Sequence, residues 1–196
     1  VTVKPIRLIS GNSPFCETFF DDAIAYKANL VGEVNKGWTV GKRLLQHERS
    51  GMASLVGAQS RDPGATLKEV AHSYLGTDEE GKVSDASIRA QVINHEVNDA
   101  AFALTRKRTV QEAEDGNTPG PATSIFKMYG TELEQEKSSL MCKIRGTQGI
   151  GWEGASFNED EIEWTRAWLS NRAASIYSGT NEIQRNIIAK RVLGLP

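Results

Sequence analysis

Cysteine and histidine are scarce in this sequence of 196 residues. The two cysteines, Cys16 and Cys142, lie far apart and form no Cys-x-x-Cys pair, and no histidine lies near enough to either for the spacing of a zinc site. Neither His72 nor His95 has a Ser, Cys or Asp neighbourhood that suggests a catalytic triad, and His47 falls on the solvent side of its predicted helix. The sequence therefore predicts reduced, packed cysteines, structural or surface histidines and no metal site.

Long apolar runs and an excess of one charge are also absent. No stretch approaches the roughly eighteen consecutive apolar residues of a membrane-spanning helix, and the first residues lack the basic-then-apolar layout of a signal peptide. The 23 basic and 25 acidic residues leave a net charge of −2, with no basic field for nucleic acid. We expect a cytoplasmic protein with no membrane span and no nucleic-acid partner. A chain that begins at Val1 also suggests a fragment or a processed product.

The first 34 residues have a β pattern. Residues 3–9 and 15–20 are rich in β-formers, and the turn cluster of residues 10–14 separates them. Two strands alone are marginally stable, so we expect them to be the end of a larger β unit.

From residue 35 onward the apolar periodicity is helical. It predicts helices from Trp38 to about Gln59, over Thr66–Leu75, from a Ser84 cap to about Asp115, over about 122–145, over 159–176 and after Thr180. The predicted fold is mainly α: an antiparallel four-helix bundle over residues 35–196 that follows a short β remnant over residues 1–34.

The helix predicted to begin at Ser84 has two apolar strips. One recurs at alternating spacings of four and three residues, which is typical of a packed seam between helices; it comprises Ala86, Ala90, Ile93, Val97, Ala100 and Leu104. The second contains Ile88, Val92 and Phe102, which leaves it available to a partner subunit.

A charged pair interrupts the apolar face of the helix that starts at Trp38. At about 100° per residue, Glu48 falls within the apolar arc and Arg49 at its edge; the arc comprises Trp38, Gly41, Leu44, Leu45, Met52, Leu55 and Val56. A carboxylate on a buried face is costly unless it is paired or functional. Glu48 and Arg49 are thus either a structural ion pair or part of a site.

The run Ile176–Pro196 combines a tight glycine turn with a capped helix. Thr180 is a good N-cap, Glu182 puts a carboxylate in the first turn, and Gly194 stands where a helix ends. The N–H groups at such a helix start suit an anionic or carbonyl ligand. The same pattern is also that of an ordinary turn and cap.

This C-terminal run resembles the signature of the acyl-CoA dehydrogenases, flavoproteins in which a Tyr-Glu-Gly-Thr turn precedes such a helix. Here the turn reads Tyr177-Ser178-Gly179-Thr180, so that Ser178 stands where many members carry the catalytic Glu. The segment His47-Glu48-Arg49 matches the position where a subset of the family, typified by isovaleryl-CoA dehydrogenase, carries its base. The resemblance therefore implies a catalytic base on the helix that begins at Trp38.

The resemblance implies FAD as cofactor and α,β-dehydrogenation of an acyl-CoA thioester. Glu48 would be the base, Arg49 would hold it, Gln46 would approach the bound acyl-CoA, and the Ser178 N–H would donate to the thioester carbonyl. The residues implied to meet the flavin are Gly179, Thr180, Asn181 and Glu182. The implied partners are a second copy or a related chain in a dimer or tetramer, and electron-transferring flavoprotein.

Two elements of the family pattern are not matched. The Arg-x-x-Phe-Gly segment is missing near Tyr74-Leu75-Gly76, and Lys143–Gly149 is a weak match to the Gln-x-x-Gly-Gly-x-Gly element. The glycine-rich stretch of residues 146–151 is either a phosphate cradle or a loop that ends a helix. Flavin contacts across a subunit interface are therefore not implied.

Two alternatives to the dehydrogenase remain at this point. The chain could be a helical oligomerisation module or a non-catalytic subunit, in which Glu48 and Arg49 form a structural pair, or it could belong to an acyl-CoA oxidase. In each case we expect residues 1–196 alone to be inactive, because the N-terminal helical domain and most of the β domain of the family have no counterpart here.

Overall fold

The structure, a computed structural model, describes residues 1–45, 65–114 and 123–196. The chain divides into two compact units, one made of Val1–Ile6 with Pro14–Gly64 and the other of Arg7–Ser13 with Ala65–Pro196. The mainly helical class with a short N-terminal β pair is confirmed.

The first unit contains an antiparallel strand pair. Strand β1 (Thr2–Ile6) pairs with β2 (Phe15–Phe19), with Thr2 opposite Phe19. All residues of both strands are exposed, and the Lys4 ammonium lies 4.9 Å from the centre of the Phe19 ring. In the same unit, residues 37–45 begin the helix that the sequence predicts from Trp38.

The first strand is shorter than the predicted range of residues 3–9. Residues after Ile6 turn instead, since the Leu8 N–H donates to the Asn12 carbonyl (2.8 Å) and the Gly11 N–H to the Leu8 carbonyl (2.9 Å). Within the second unit this turn packs on Trp152, because a Cβ at Gly11 would lie 3.2 Å from the indole.

The described part of the second unit contains five α-helices. They are α1 (Leu67–Leu75), α2 (Ala86–Glu114), α3 (Thr123–Arg145), α4 (Glu159–Asn171) and α5 (Asn181–Ile187). Short 3-10 turns follow α3 and α4 at Gly146–Ile150 and Arg172–Ser175, and a π turn follows α5 at Ile188–Val192. Helix α4 ends earlier than the predicted residue 176 because the chain tightens into the 3-10 turn.

Helix α3 is packed against all four other helices of this unit. Contacts pair rising residue numbers on α2 with falling numbers on α3: Gln91 with Lys143, His95 with Glu136 and Phe102 with Tyr129. The same order holds for α4, which pairs Asp160 with Arg145, Trp164 with Cys142 and Trp168 with Ser139. Helix α3 is therefore antiparallel to both neighbours, as predicted for the bundle.

The apolar core lies where α1, α2 and α3 meet. Its buried members are Leu67, Val70, Ala71, Val83, Ile88, Val92, Leu140, Met141 and Ile144. Met141 and Ile144 are at most 1% exposed, so among the described residues α3 contributes the largest apolar side chains that are almost fully buried. Burial of this apolar surface is the main favourable contribution to the folding free energy of the unit.

The structure corrects the prediction for α2. The predicted seam is exposed, with Ile93 at 54%, Val97 at 61% and Leu104 at 68%, whereas the second strip is buried, with Ile88 at 6% and Val92 at 4%. The apolar pattern misled because a polar residue completes the buried strip. His95 is 4% exposed, and its Nδ1 lies 3.0 Å from a carboxylate oxygen of Glu136 on α3.

The cap of α2 also differs from the prediction. Asp85, and not Ser84, accepts the Ile88 N–H at 2.9 Å through Oδ1.

Glu161 joins α1 to the start of α4. The Tyr74 hydroxyl donates to Glu161 Oε1 at 2.6 Å, and Glu161 forms a capping box with Asn158. The Tyr74 hydroxyl and the Asn158 N–H both donate to the carboxylate and lower the pKa of Glu161 from its ordinary value of 4.5, against an opposing effect of burial. The ionised form of Glu161 is thus the form that holds the two helices together.

The orientation of α2 predicts unequal effects for two matched substitutions. Ile88→Ala should lower the free energy of unfolding by about 2–5 kcal/mol, since it leaves a cavity in the core. Ile93→Ala removes the same atoms from an exposed position and should change it by about 0.5 kcal/mol or less. Urea unfolding of the two variants measures both values. Equal losses would mean that the face carrying Ile93 is buried too.

Loss of the Tyr74 hydroxyl should destabilise the protein in a pH-dependent way. Tyr74→Phe should cost about 1.5–3 kcal/mol near neutral pH, because the hydroxyl donates to a charged carboxylate. The folded-state pKa of Glu161 is lowered, so its stabilisation is present above 4.5 and is lost as the pH falls through the lowered value. The difference between wild type and variant should therefore narrow below pH 4.5 in unfolding curves. A loss of unfolding free energy that does not change with pH would contradict this. So would an equal loss in Tyr26→Phe, which changes an exposed tyrosine.

Candidate functional site

A strained turn links α4 to α5. After the 3-10 turn Arg172–Ser175, the N–H groups of Ile176 and Tyr177 both donate to the Ala173 carbonyl, at 2.9 and 3.1 Å. Ser178 and Gly179 then adopt successive left-handed conformations, with φ of 56° and 89°. A left-handed serine costs about 1–2 kcal/mol, so the surrounding contacts must hold the turn in place.

Gly179 brings the turn close to the helix that follows. A Cβ at this position would lie 2.8 Å from the Gln184 side-chain nitrogen, closer than real contacts allow. Ser178 and Gly179 are both exposed. The turn thus presents backbone, with no side chain at Gly179, to a ligand that approaches from solvent.

Thr180 is the N-cap of α5, as predicted. Its backbone is extended, and its hydroxyl accepts the Ile183 N–H at 3.3 Å. Glu182 lies in the first turn and is exposed. Hydrogen bonds from its own N–H and from the Thr180 hydroxyl, together with Arg185 and Lys127, lower the pKa of Glu182 below 4.5.

The side chain of Asn181 is buried against α3. It is 2% exposed. Its Oδ1 accepts from Lys127 Nζ at 3.0 Å, and its Nδ2 donates to the Met128 carbonyl at 3.3 Å and to the Thr131 hydroxyl at 3.2 Å. Contact between Asn181 and a flavin stays a prediction, and in this structure the amide itself is bonded to α3.

Charged groups surround the contact between Asn181 and α3. The Arg185 guanidinium forms an ion pair with Glu132 of α3 and lies 3.7 Å from the Glu182 carboxylate. Burial lowers the pKa of Lys127, while the nearby Glu182 opposes the shift. Helix α5 is therefore joined to α3 by polar contacts along its first turn and a half.

The predicted site residues divide into two groups. Ser178, Gly179, Thr180, Asn181 and Glu182 form the continuous turn and helix start described above. Gln46, Glu48 and Arg49 lie outside the described residues, and their placement at the turn stays a prediction.

Lys127 and Thr131 were not predicted as part of this region. They lie on α3, 54 and 50 residues from Asn181 in sequence. Their spacing of four residues puts them on one helix face, but no local pattern in the sequence indicates which segment that face contacts.

The glycine-rich segment after α3 is packed as a helix-ending loop. Gly146 is left-handed, with φ of 57°, and Gly149 leaves no room for a side chain, because a Cβ would lie 2.0 Å from the Cys142 carbonyl oxygen. The Gly149 carbonyl accepts from the Thr165 hydroxyl at 3.1 Å. The left-handed backbone explains Gly146, and the close approach to the α3 backbone at Cys142 explains Gly149.

The described parts of the chain hold neither a metal-binding cluster nor a helix fit to cross a membrane. Residues 1–45, 65–114 and 123–196 contain no group of three or more His, Cys, Asp and Glu side chains that could hold a metal ion. Over the same ranges no helix combines the length and the apolarity that crossing a membrane requires.

Removal of the Thr180 hydroxyl should destabilise α5 locally. Thr180→Ala is expected to lower the free energy of unfolding by about 1 kcal/mol, because the Ile183 N–H loses its acceptor. Thr180→Ser retains an acceptor and serves as the matched control. Hydrogen exchange at residues 181–187 should speed up in the alanine variant and stay near the wild-type rate in the serine variant. Equal exchange in all three proteins would show that the cap does not hold the helix start.

Known proteins are similar to this chain in sequence and in fold. The chain is 32% identical over 198 residues to acyl-CoA dehydrogenase IpdE1 of Mycolicibacterium smegmatis, covering 100% of this chain and 46% of that protein. The fold is similar to that of the ChsE4-ChsE5 complex from Mycobacterium tuberculosis (TM-score 0.71, 24% identity, 100% of this chain and 50% of that chain). It is likewise similar to a Tcur3481-Tcur3483 steroid ACAD variant (TM-score 0.72, 22% identity, 100% and 49%).

The chain thus spans about half the length of the curated relative and of both structures. Residues 35–193 match the family described as acyl-CoA dehydrogenase, C-terminal domain. This match covers most of the chain and includes the turn, its cap and the helices that hold it. The chain belongs to the acyl-CoA dehydrogenase family, of which it contains the C-terminal domain.

Proposed function

We propose that these residues are the C-terminal part of an FAD-dependent acyl-CoA dehydrogenase that oxidises an acyl-CoA thioester at its α and β carbons. The observation that carries the proposal is the Tyr177–Thr180 turn. Two left-handed residues and a capped helix start present exposed backbone there, within a chain that belongs to this family.

The exposed backbone of the turn suits contact with a flat ring and with a carbonyl group. Gly179 offers backbone without a side chain, and the first N–H groups of a helix have no partner within the helix. Gly179, Thr180, Asn181 and Glu182 would hold the flavin mainly through backbone, since the side chains of Thr180 and Asn181 are bonded within the protein. The flavin, when bound, supplies the acceptor for the β-hydride.

The reaction needs a base for the α-proton and a donor for the thioester oxygen. Glu48 takes the α-proton, the Ser178 N–H stabilises the enolate-like oxygen, and loss of the β-hydride completes the double bond. A carboxylate becomes a stronger base when it is buried, which accords with the position of Glu48 in the apolar arc of its helix. Arg49 would hold Glu48, and Gln46 would approach the bound acyl-CoA.

The carboxylates described near the turn are poor alternatives to Glu48. Glu182 is exposed, and hydrogen bonds lower its pKa, which weakens it as a base. Glu132 is paired with Arg185. Ser178 has a hydroxyl where a carboxylate would be needed, so the base must come from another element.

We further propose that the protein assembles with a related chain or with a second copy and passes its electrons to electron-transferring flavoprotein. Both similar structures carry two chain names, ChsE4-ChsE5 and Tcur3481-Tcur3483, which supports a mixed assembly. The serine at position 178 supports a second candidate, a non-catalytic subunit of such an assembly.

Anaerobic addition of acyl-CoA to the intact flavoprotein tests the proposal. Flavin absorbance should bleach in the wild type with at least one of a set of straight-chain, branched and steroid side-chain thioesters. Glu48→Gln should keep its flavin but bleach about 10²–10⁴-fold more slowly, because the general base is lost. Ser178→Ala retains the backbone N–H and is the matched control, with a mild effect.

Three results would contradict this assignment. A fully active Glu48→Gln enzyme would show that the base is elsewhere. A wild-type protein that holds flavin but bleaches with no thioester would favour the non-catalytic subunit, and rapid oxidation of the reduced flavin by oxygen would favour an oxidase.

A further inference from the structure

Asn181 differs from the rest of the signature in where its side chain lies. Ser178, Gly179 and Glu182 are exposed, whereas Asn181 is 2% exposed and directed into α3. A polar side chain that is buried this far is costly unless its donors and acceptors are satisfied. In Asn181 both ends of the amide have partners on α3.

The partners of Asn181 require both a donor and an acceptor. Lys127 Nζ donates to Oδ1, while the Met128 carbonyl accepts from Nδ2. The Thr131 hydroxyl accepts from Nδ2 at 3.2 Å, and its one proton is donated either to the Met128 carbonyl at 2.9 Å or to Asn181 Oδ1 at 3.2 Å. Aspartate could keep the contact with Lys127 but could not donate to the carbonyl, and leucine could do neither.

The amide lies directly beside the strained part of the turn. Asn181 follows the N-cap Thr180 and is two residues from Gly179, whose left-handed backbone approaches Gln184. The left-handed conformations of Ser178 and Gly179 persist only if neighbouring contacts hold them. The bonds from Asn181 to α3 are the buried polar contacts that join this helix start to the rest of the unit.

We propose that Asn181 is a positioning residue, whose buried amide clamps the Ser178–Thr180 turn onto Lys127, Met128 and Thr131 of α3 and so fixes the backbone that receives the flavin and the thioester. Asn181 therefore acts on the reaction through the turn, and its side chain does not touch the flavin. This inference rests on the proposed function. A displacement of about 1 Å at such a turn is enough to weaken binding and to slow chemistry.

Lys127 is the charged half of the clamp. Burial lowers its pKa, in agreement with an ammonium that has lost water and is held by an amide oxygen. Lys127→Met keeps the apolar stem and removes this donor. In a double-mutant cycle with Asn181→Leu, the two substitutions should be strongly non-additive, because each one breaks the same contact.

The experiment uses the intact protein in its assembled form, with flavin, and compares four single variants in addition to the double variant of the cycle. Asn181→Leu should weaken flavin binding about tenfold or more, and it should lower kcat more than it raises KM for acyl-CoA, because the thioester donor of the turn is displaced. Asn181→Asp should have a flavin affinity and a kcat between those of the wild type and Asn181→Leu. Lys127→Met should change both quantities in the same direction as Asn181→Leu. Asn186→Leu, at an exposed asparagine of the same helix, is the matched control and should behave as the wild type.

Hydrogen exchange separates this inference from the proposed function. In Asn181→Leu the amides of residues 178–183 should exchange faster than in the wild type, with the amides of α2 and of the core face of α3 unchanged. If no thioester bleaches the wild-type flavin, the dehydrogenase proposal fails, but flavin affinity and hydrogen exchange still test the clamp.

Three results would overturn the clamp. One is an Asn181→Leu protein with wild-type flavin affinity and wild-type exchange at the turn. Another is a uniform loss of stability across the second unit, with no selective increase in amide exchange at residues 178–183. The third is strict additivity of the effects of Lys127→Met and Asn181→Leu in the double variant.

Discussion

The packing of α3 is the constraint on which the rest of the second unit depends. Its apolar face, with Met141 and Ile144 almost completely buried, closes the core against α1 and α2. Its other faces carry polar groups that fix α4 through Ser139 and α5 through Lys127. The turn that precedes α5 has no regular structure of its own, so its position follows from the position of α3.

In this arrangement the side chains and the backbone of the turn have different roles. The side chains of Thr180 and Asn181 hold the helix start, which leaves the exposed backbone of Ser178 and Gly179 for the proposed contacts with the flavin and the thioester. Backbone recognition does not require a particular side chain at position 178, so the family turn can exist here with a serine. In the proposed reaction the base therefore comes from a separate helix, which is the role proposed for Glu48.

Much of the fold could be predicted from the sequence, because helical periodicity and turn residues are local signals. The strand pair, the bounds of α1 and the Thr180 cap agree with prediction. The buried face of α2 was wrongly assigned because His95, a polar residue, completes it through Glu136. A count of apolar residues cannot include His95, whose burial depends on a partner 41 residues away in the sequence.

The site could be predicted only in part, for a similar reason. Its continuous segment, from Ser178 to Glu182, is visible as one motif, whereas the contact between Lys127 and Asn181 joins positions 54 residues apart. Such a contact depends on how α5 packs on α3, which no local pattern encodes. Glu48 lies outside the described residues, so its assignment rests on the family pattern and on the carboxylates near the turn that are already paired.

Hydrogen exchange of the intact protein with and without FAD tests the central claim, that the turn and the start of α5 form the flavin and thioester site. Flavin binding should slow exchange at residues 178–182 while it leaves the exposed strip of α2 around Val97 unchanged. Protection that appears elsewhere, with no change at residues 178–182, would contradict the claim and would place the cofactor away from the turn.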